Sequence, residues 1–165
     1  MKNDSRELQQ VQSAAANAGA PRVDLYAGIH KALRALMADT LVAVGRMDAH
    51  DALELAQTTQ RVQQLLEFMR AHLRHENAFV HPAMEARAPG ASEVVAYEHE
   101  GHAVEIAALA GEATALLQAP AERRDADALA LYRHLSLFTA HNFEHMFGEE
   151  TAHNAVLWPT TPTPS

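Results

Sequence analysis

Apolar residues recur every three or four positions through most of the chain, the repeat that gives a helix one apolar face. Four long stretches carry it. The first spans 24–45, with Ile29, Leu33, Leu36, Met37, Leu41 and Val44 in its stripe. Asp24 is placed to cap its start and Gly45 to end it. The second spans 51–81, with Leu55, Val62, Leu65, Leu66, Met69, Leu73 and Phe79 inward. Pro82 sits where that helix must stop or kink. Pro89 and Gly90 mark a turn, and Ser92 is the candidate N-cap of a third helix over 93–118. Val95, Ile106, Leu109, Ala113 and Leu116 face inward there, and Pro120 ends it. The fourth begins at Asp125 or Asp127 and runs to 155, with Leu131, Leu135, Phe138, Met146 and Val156 as core candidates.

No segment alternates apolar and polar residues in the manner of a strand. Short connections make sequence neighbours pack antiparallel, so the pattern predicts an all-α, up-down-up-down four-helix bundle over 21–158. Residues 1–20, polar and rich in Gln, Ala and Asn, read as an accessory N-terminal arm. Residues 159–165, Pro- and Thr-rich, read as a disordered tail.

Charge and composition then narrow the chemistry. Thirteen Lys and Arg face 21 Asp and Glu, a net charge of −8. A nucleic-acid or anionic-membrane partner requires the opposite balance. No apolar run is long enough to span a bilayer, and the N-terminus lacks the apolar segment of a secretory signal, so a cytoplasmic location is expected. There is no cysteine, which removes disulfides, thiolate zinc sites and iron–sulfur clusters together. Any metal must be held by imidazole and carboxylate, and the chain has 11 histidines.

Their placement matters more than their number. His30 shares a face with Leu33, Met37 and Leu41; His72 with Leu65, Met69 and Glu76; His99 and His102 continue into Ile106 and Leu109; His145 lies with Phe138, Asn142 and Glu149. Each helix thus puts a histidine into its own apolar stripe. His72–Glu76 and His145–Glu149 are four residues apart, one turn along the same face. An inward carboxylate must have its charge compensated, and a metal pair would do so directly. Five imidazoles (His30, His72, His99, His102, His145) and two bridging carboxylates (Glu76, Glu149) would nearly fill the coordination of two six-coordinate irons. His75 and His141 flank these faces and could replace a ligand. His134 lies near the inner face of the fourth helix; His50, His81 and His153 fall at helix ends, where capping is expected. Glu150 is turned outward from Glu149 or supports a ligand from behind.

The segments Ile29-His30, His72-Leu-Arg-His-Glu76 with Pro82 following, Glu98-His99 and Glu144-His145-Met-Phe-Gly-Glu149-Glu150 resemble the hemerythrin-like, or HHE cation-binding, family. The likeness covers 25–158. It implies an antiparallel four-helix bundle around a non-haem di-iron site, with His30, His72 and His145 as terminal ligands and Glu76 and Glu149 as bridges. Members bind dioxygen, sense oxygen or iron, handle nitric oxide or repair iron centres. The third helix departs from the oxygen carriers, whose two histidines there are four apart; His99 and His102 are three apart, so either or both could be ligands. The repair branch carries a cysteine-bearing N-terminal domain, and this chain has no cysteine. A ferritin-like carboxylate bundle needs two Glu-x-x-His pairs, whereas only Glu150–His153 fits here.

The expected function is therefore uptake of dioxygen or another diatomic at two carboxylate-bridged iron ions, for sensing, storage or delivery. The alternative is an enzyme reducing peroxide or nitric oxide at the same metals. Zinc or manganese could occupy the ligands instead of iron. A homodimer through an exposed helix face is a further expectation.

Overall fold

The computed structural model describes residues 24–158. The arm and the tail expected at 1–20 and 159–165 lie outside that range. Among the described residues there are five α-helices: α1 (Ala27–Arg46), α2 (Ala52–His75), α3 (His81–Glu85), α4 (Glu93–Gln118) and α5 (Ala121–Leu157). A π-helical stretch, Glu76–Val80, joins α2 to α3. No strand occurs among the described residues, and no described helix is long and apolar enough to cross a membrane.

The side-chain registers define an antiparallel bundle. Arg61 on α2 approaches Asp39 on α1 at 3.8 Å while His72 packs on His30. Gln63 donates to the Ala110 carbonyl at 2.8 Å, and Asn77 meets His99. Between α4 and α5 the pairs are Glu112–His134 and Glu98–His145. Tyr26, just before α1, meets His153, and Gly45 near its end lies under Tyr132. Leu33, Met37, Leu65, Leu66, Ile106, Leu109, Leu135 and Phe138 fill the interior, as their spacing predicts. The start of α1, the end of α2, the start of α4 and the end of α5 come together at one end of the bundle. The polar positions of the stripes collect there.

Several sequence expectations are corrected. Gly45 does not end α1, which continues to Arg46. A Cβ at position 45 would stand 2.9 Å from the Tyr132 ring, so the glycine admits the close approach of α5. Asp24 does act at the start of α1, accepting from the amides of Tyr26 and Ala27. Ser92 makes no side-chain cap; its hydroxyl donates to Glu85, which also accepts from the amides of Gly90 and Ser92. α5 starts four residues before Asp125, because Pro120 supplies an extended N-cap conformation and leaves an N-terminal turn free to form. Ile29 is 46 % exposed and Phe79 72 % exposed, against their assignment to the core.

Phe79 is displaced by the π-helical stretch. Pro82 has no amide hydrogen to give the Ala78 carbonyl, so the α-helical ladder cannot run through it. The His81 amide instead bonds the Glu76 carbonyl, five residues back. A π turn closes over five residues, whereas five α-helical residues advance about 500°. The wider turn therefore brings His81 back near the face of Glu76 and swings Phe79 outward.

Candidate metal centre

Six of the seven residues singled out in the sequence converge at that polar end. They form two groups of four ligand atoms: His30, His72, Glu76 and Glu149 in one, and Glu76, His99, His145 and Glu149 in the other. All six are buried, His30 and Glu149 almost completely. The two groups share both carboxylates, and each carboxylate divides its oxygens between them. Glu76 turns Oε1 toward the Nε2 atoms of His30 and His72 at 3.6 and 3.3 Å, and Oε2 toward His99 at 3.5 Å. Glu149 turns Oε2 toward His30 at 3.5 Å, and Oε1 toward His99 and His145 at 3.5 and 3.2 Å.

The backs of the imidazoles are held. The Nδ1–H of His30 donates to Glu150 at 3.1 Å, that of His99 to Asn77 at 2.7 Å and that of His145 to Glu98 at 2.8 Å. Arg34 in turn grips both oxygens of Glu150, at 2.6 and 3.1 Å. With the proton placed on Nδ1 by an oxygen acceptor, the lone pair lies on Nε2 and faces the carboxylates, the arrangement that orients metal-binding histidines. Glu150→Ala is accordingly expected to weaken metal affinity about 10- to 100-fold; competition with a chelator of known affinity measures it.

Without a cation the cluster is poorly satisfied. Both oxygens of Glu76 and of Glu149, and Nε2 of His30 and of His72, are buried with no hydrogen-bond partner among the described residues. The Nε2 atoms of His99 and His145 stand 3.1 Å apart with both Nδ1 protons committed elsewhere. Such a pair requires a proton or a metal ion between lone pairs. Burial works to lower the His145 pKa, but Glu149 and Glu98 outweigh it and hold it above the ordinary histidine value. Burial likewise works to raise the Glu149 pKa, but the imidazoles that face its oxygens, His145 and His99 first, then the charge of His145 and His30, bring it well below the carboxylate range. His72 is shifted the other way, its pKa lowered by burial despite Glu76, so it is ready as a neutral donor. The donor set of imidazole and carboxylate, the divided oxygens and the orphaned atoms together fit metal ions.

A model of the hemerythrin HHE cation-binding domain matches residues 22–153. The chain belongs to that family. No curated protein and no solved structure matches it. The HHE domain binds metal, and the two His/Glu groups are where this one can do so.

The seventh residue, His102, belongs to neither ligand group. Its ring lies edge-on to His145 at 4.6 Å, and its Nδ1 is buried without a hydrogen-bond partner among the described residues. Burial, then repulsion from His145 and His99, lowers its pKa to about 4. His75 and His141 point outward, His75 beside Phe79 and His141 toward Glu105, and neither joins a ligand group. His134 pairs with Glu112 and His50 with Asp125 at the surface. His81 and His153, expected as end caps, are instead buried beside the centre, where burial lowers both pKa values. A cleft of about 550 Å³ between α4 and α5 reaches Glu149, His145, His102 and His153 from solvent. On the other side an apolar cavity of about 410 Å³, lined by Leu25, Ile29 and Phe79, reaches His72 and Glu76.

Proposed function

We propose that the HHE domain holds two iron ions bridged by Glu76 and Glu149 and takes up dioxygen or another diatomic there, for sensing, storage or delivery. The observation that carries this reading is the division of each carboxylate's oxygens between two adjacent groups of ligands. Four imidazoles and two bridging carboxylates leave open positions on a pair of six-coordinate ions. Iron would supply the electrons and the binding of the diatomic. The chain's own contribution is to orient the imidazoles through Glu150, Asn77 and Glu98, and to enclose the ions beneath the apolar core. The apolar cavity beside His72 and Glu76 suits an uncharged diatomic.

A second reading, reduction of peroxide or nitric oxide, is favoured by the cleft that leads from solvent toward the buried Glu149 and His145, a route for a reductant and protons. Metal analysis of protein from iron-supplemented growth, followed by an absorption spectrum in air, tests the first reading. About two irons per chain with oxygen-to-iron charge-transfer bands in the near ultraviolet is the expected result. One weakly held ion, or none, removes it. Sustained consumption of peroxide or nitric oxide with a reductant would place the second reading first.

A further inference from the structure

Three buried side chains outside the ligand groups form an arc from one group to the other. The Tyr26 ring lies 4.8 Å from His30 and 5.8 Å from His153. His81 stands 6.2 Å from His153, edge to face, and stacks on His99 at 4.9 Å. His30 belongs to one ligand group and His99 to the other, so the arc Tyr26–His153–His81 closes the side of the centre that spans both. None of the three supplies an atom to either group. Tyr26, His81 and His153 are 2 %, 7 % and 2 % exposed.

Packing alone would put apolar residues here. The arc instead carries polar atoms. The Tyr26 hydroxyl is hydrogen-bonded to His153 Nδ1 at 2.7 Å. With the hydroxyl donating, the proton of the neutral His153 ring sits on Nε2, and His153 also lines the cleft that reaches Glu149 and His145. His81 Nε2 is buried with no partner among the described residues. A buried nitrogen left unmatched beside a ligand group is a polar contact waiting for a partner.

We propose that Tyr26, His153 and His81 form a hydrogen-bonding wall that holds the outer atom of a small ligand at the metal pair. The ligand class is one whose outer atom accepts a hydrogen bond: a small anion, or a diatomic polarised toward its outer atom. This rests on the two-iron reading above and adds what selects the ligand. Tyr26 acts through His153, fixing which of its nitrogens carries the proton, and is a positioning residue; His153 and His81 make the contact. Ligands of equal size whose outer atom is a poor acceptor gain nothing from the wall.

The test uses the full-length, iron-loaded protein and azide as the probe, with two readouts: iron per chain, and the azide Kd from an absorption titration. Tyr26→Phe keeps the ring and removes the hydroxyl; His81→Phe keeps the bulk and removes the nitrogens; His81→Gln restores a donor. The expected result is unchanged iron content, azide binding weakened about 10-fold in Tyr26→Phe and in His81→Phe, and recovery of most of that loss in His81→Gln. Azide affinity within about twofold of the parent in both phenylalanine variants at full iron content overturns the proposal. Loss of iron from both variants also overturns it, because the residues would then support the metals and not the ligand. A parent protein that holds no iron fails the two-iron reading itself, and is told apart by the first readout.

Discussion

If the centre holds two irons as proposed, Glu149→Gln is expected to lower the metal content of iron-grown protein from about two ions per chain to one or none. The change keeps the side chain's volume and its hydrogen-bonding oxygen but removes the negative charge and one ligand atom. Glu149 is 1 % exposed and faces three imidazoles, one oxygen toward His30 and the other toward His99 and His145. A glutamine there offers an amide nitrogen to one of the two groups, and an N–H cannot bind a cation. The loss is therefore felt at both positions, unlike the removal of His72, which touches one. Stability reports it as well. A ligand that binds only the folded chain stabilises it by mass action, so the rise in Tm on iron loading shrinks in the variant. Elemental analysis with paired melts of loaded and metal-free protein checks both. A variant that keeps full iron content and the full rise in Tm would strike Glu149 from the ligands.

Acidifying the metal-free protein from pH 7 toward pH 4 is expected to destabilise it strongly. His72, His81, His102 and His153 all have pKa values lowered in the fold, first by burial. Below the unfolded value of 6.5 the unfolded chain takes up protons that these rings refuse, so stability falls as pH falls through that value. For His102 the window extends down to its folded pKa of about 4. Linkage over that interval costs on the order of 3 kcal/mol from this residue alone. Glu149 works in the same direction. Its pKa is depressed, so its contribution is present above the ordinary carboxylate value and is lost on further acidification. His145 opposes them: its raised pKa contributes stability that is present at low pH and lost as pH rises through the folded value. Four rings and a carboxylate outweigh one ring. Thermal melts followed by circular dichroism between pH 7.5 and 4.5 check this, and a midpoint that does not move between pH 7 and pH 5 would contradict it.

How much of the centre was legible differs residue by residue. His30, His72, Glu76, His99, His145 and Glu149 could be found because each interrupts an apolar stripe, and helical spacing alone says that such a residue points inward. The same rule selected His102, and it does point inward, at 9 % exposed. Spacing gives a direction around a helix axis, not which partner is met at that height, and at that height His102 meets the flank of the His145 ring. The groups that hold the imidazoles from behind lie half off the stripes. Glu150 could be read as an outward residue or as a support behind a ligand, and Asn77 and Glu98 carry no signal of their own until the neighbouring helix is in place. His81 and His153 were both read as helix ends. An ordinary α-helical count carries His81 off the inner face, and the π-helical stretch brings it back; His153, four residues after Glu149, already shares that face by helical spacing, and only its place near the end of the helix concealed it. Pro82 was the one local sign of that stretch.

The periodicity of the apolar residues, the punctuation by proline and glycine and the absence of cysteine by themselves determine that this protein is an antiparallel helical bundle whose candidate metal ligands are imidazole and carboxylate. These are properties of one helix at a time, set by the 3.6-residue turn and by backbone sterics. Only the tertiary structure decides that Glu76 and Glu149 each face two ligand groups, that Arg34 and Glu150 fix His30, and that Tyr26, His153 and His81 close one side. Each of these depends on the height and rotation at which separate helices pack, which is governed by side-chain interlocking across the whole core.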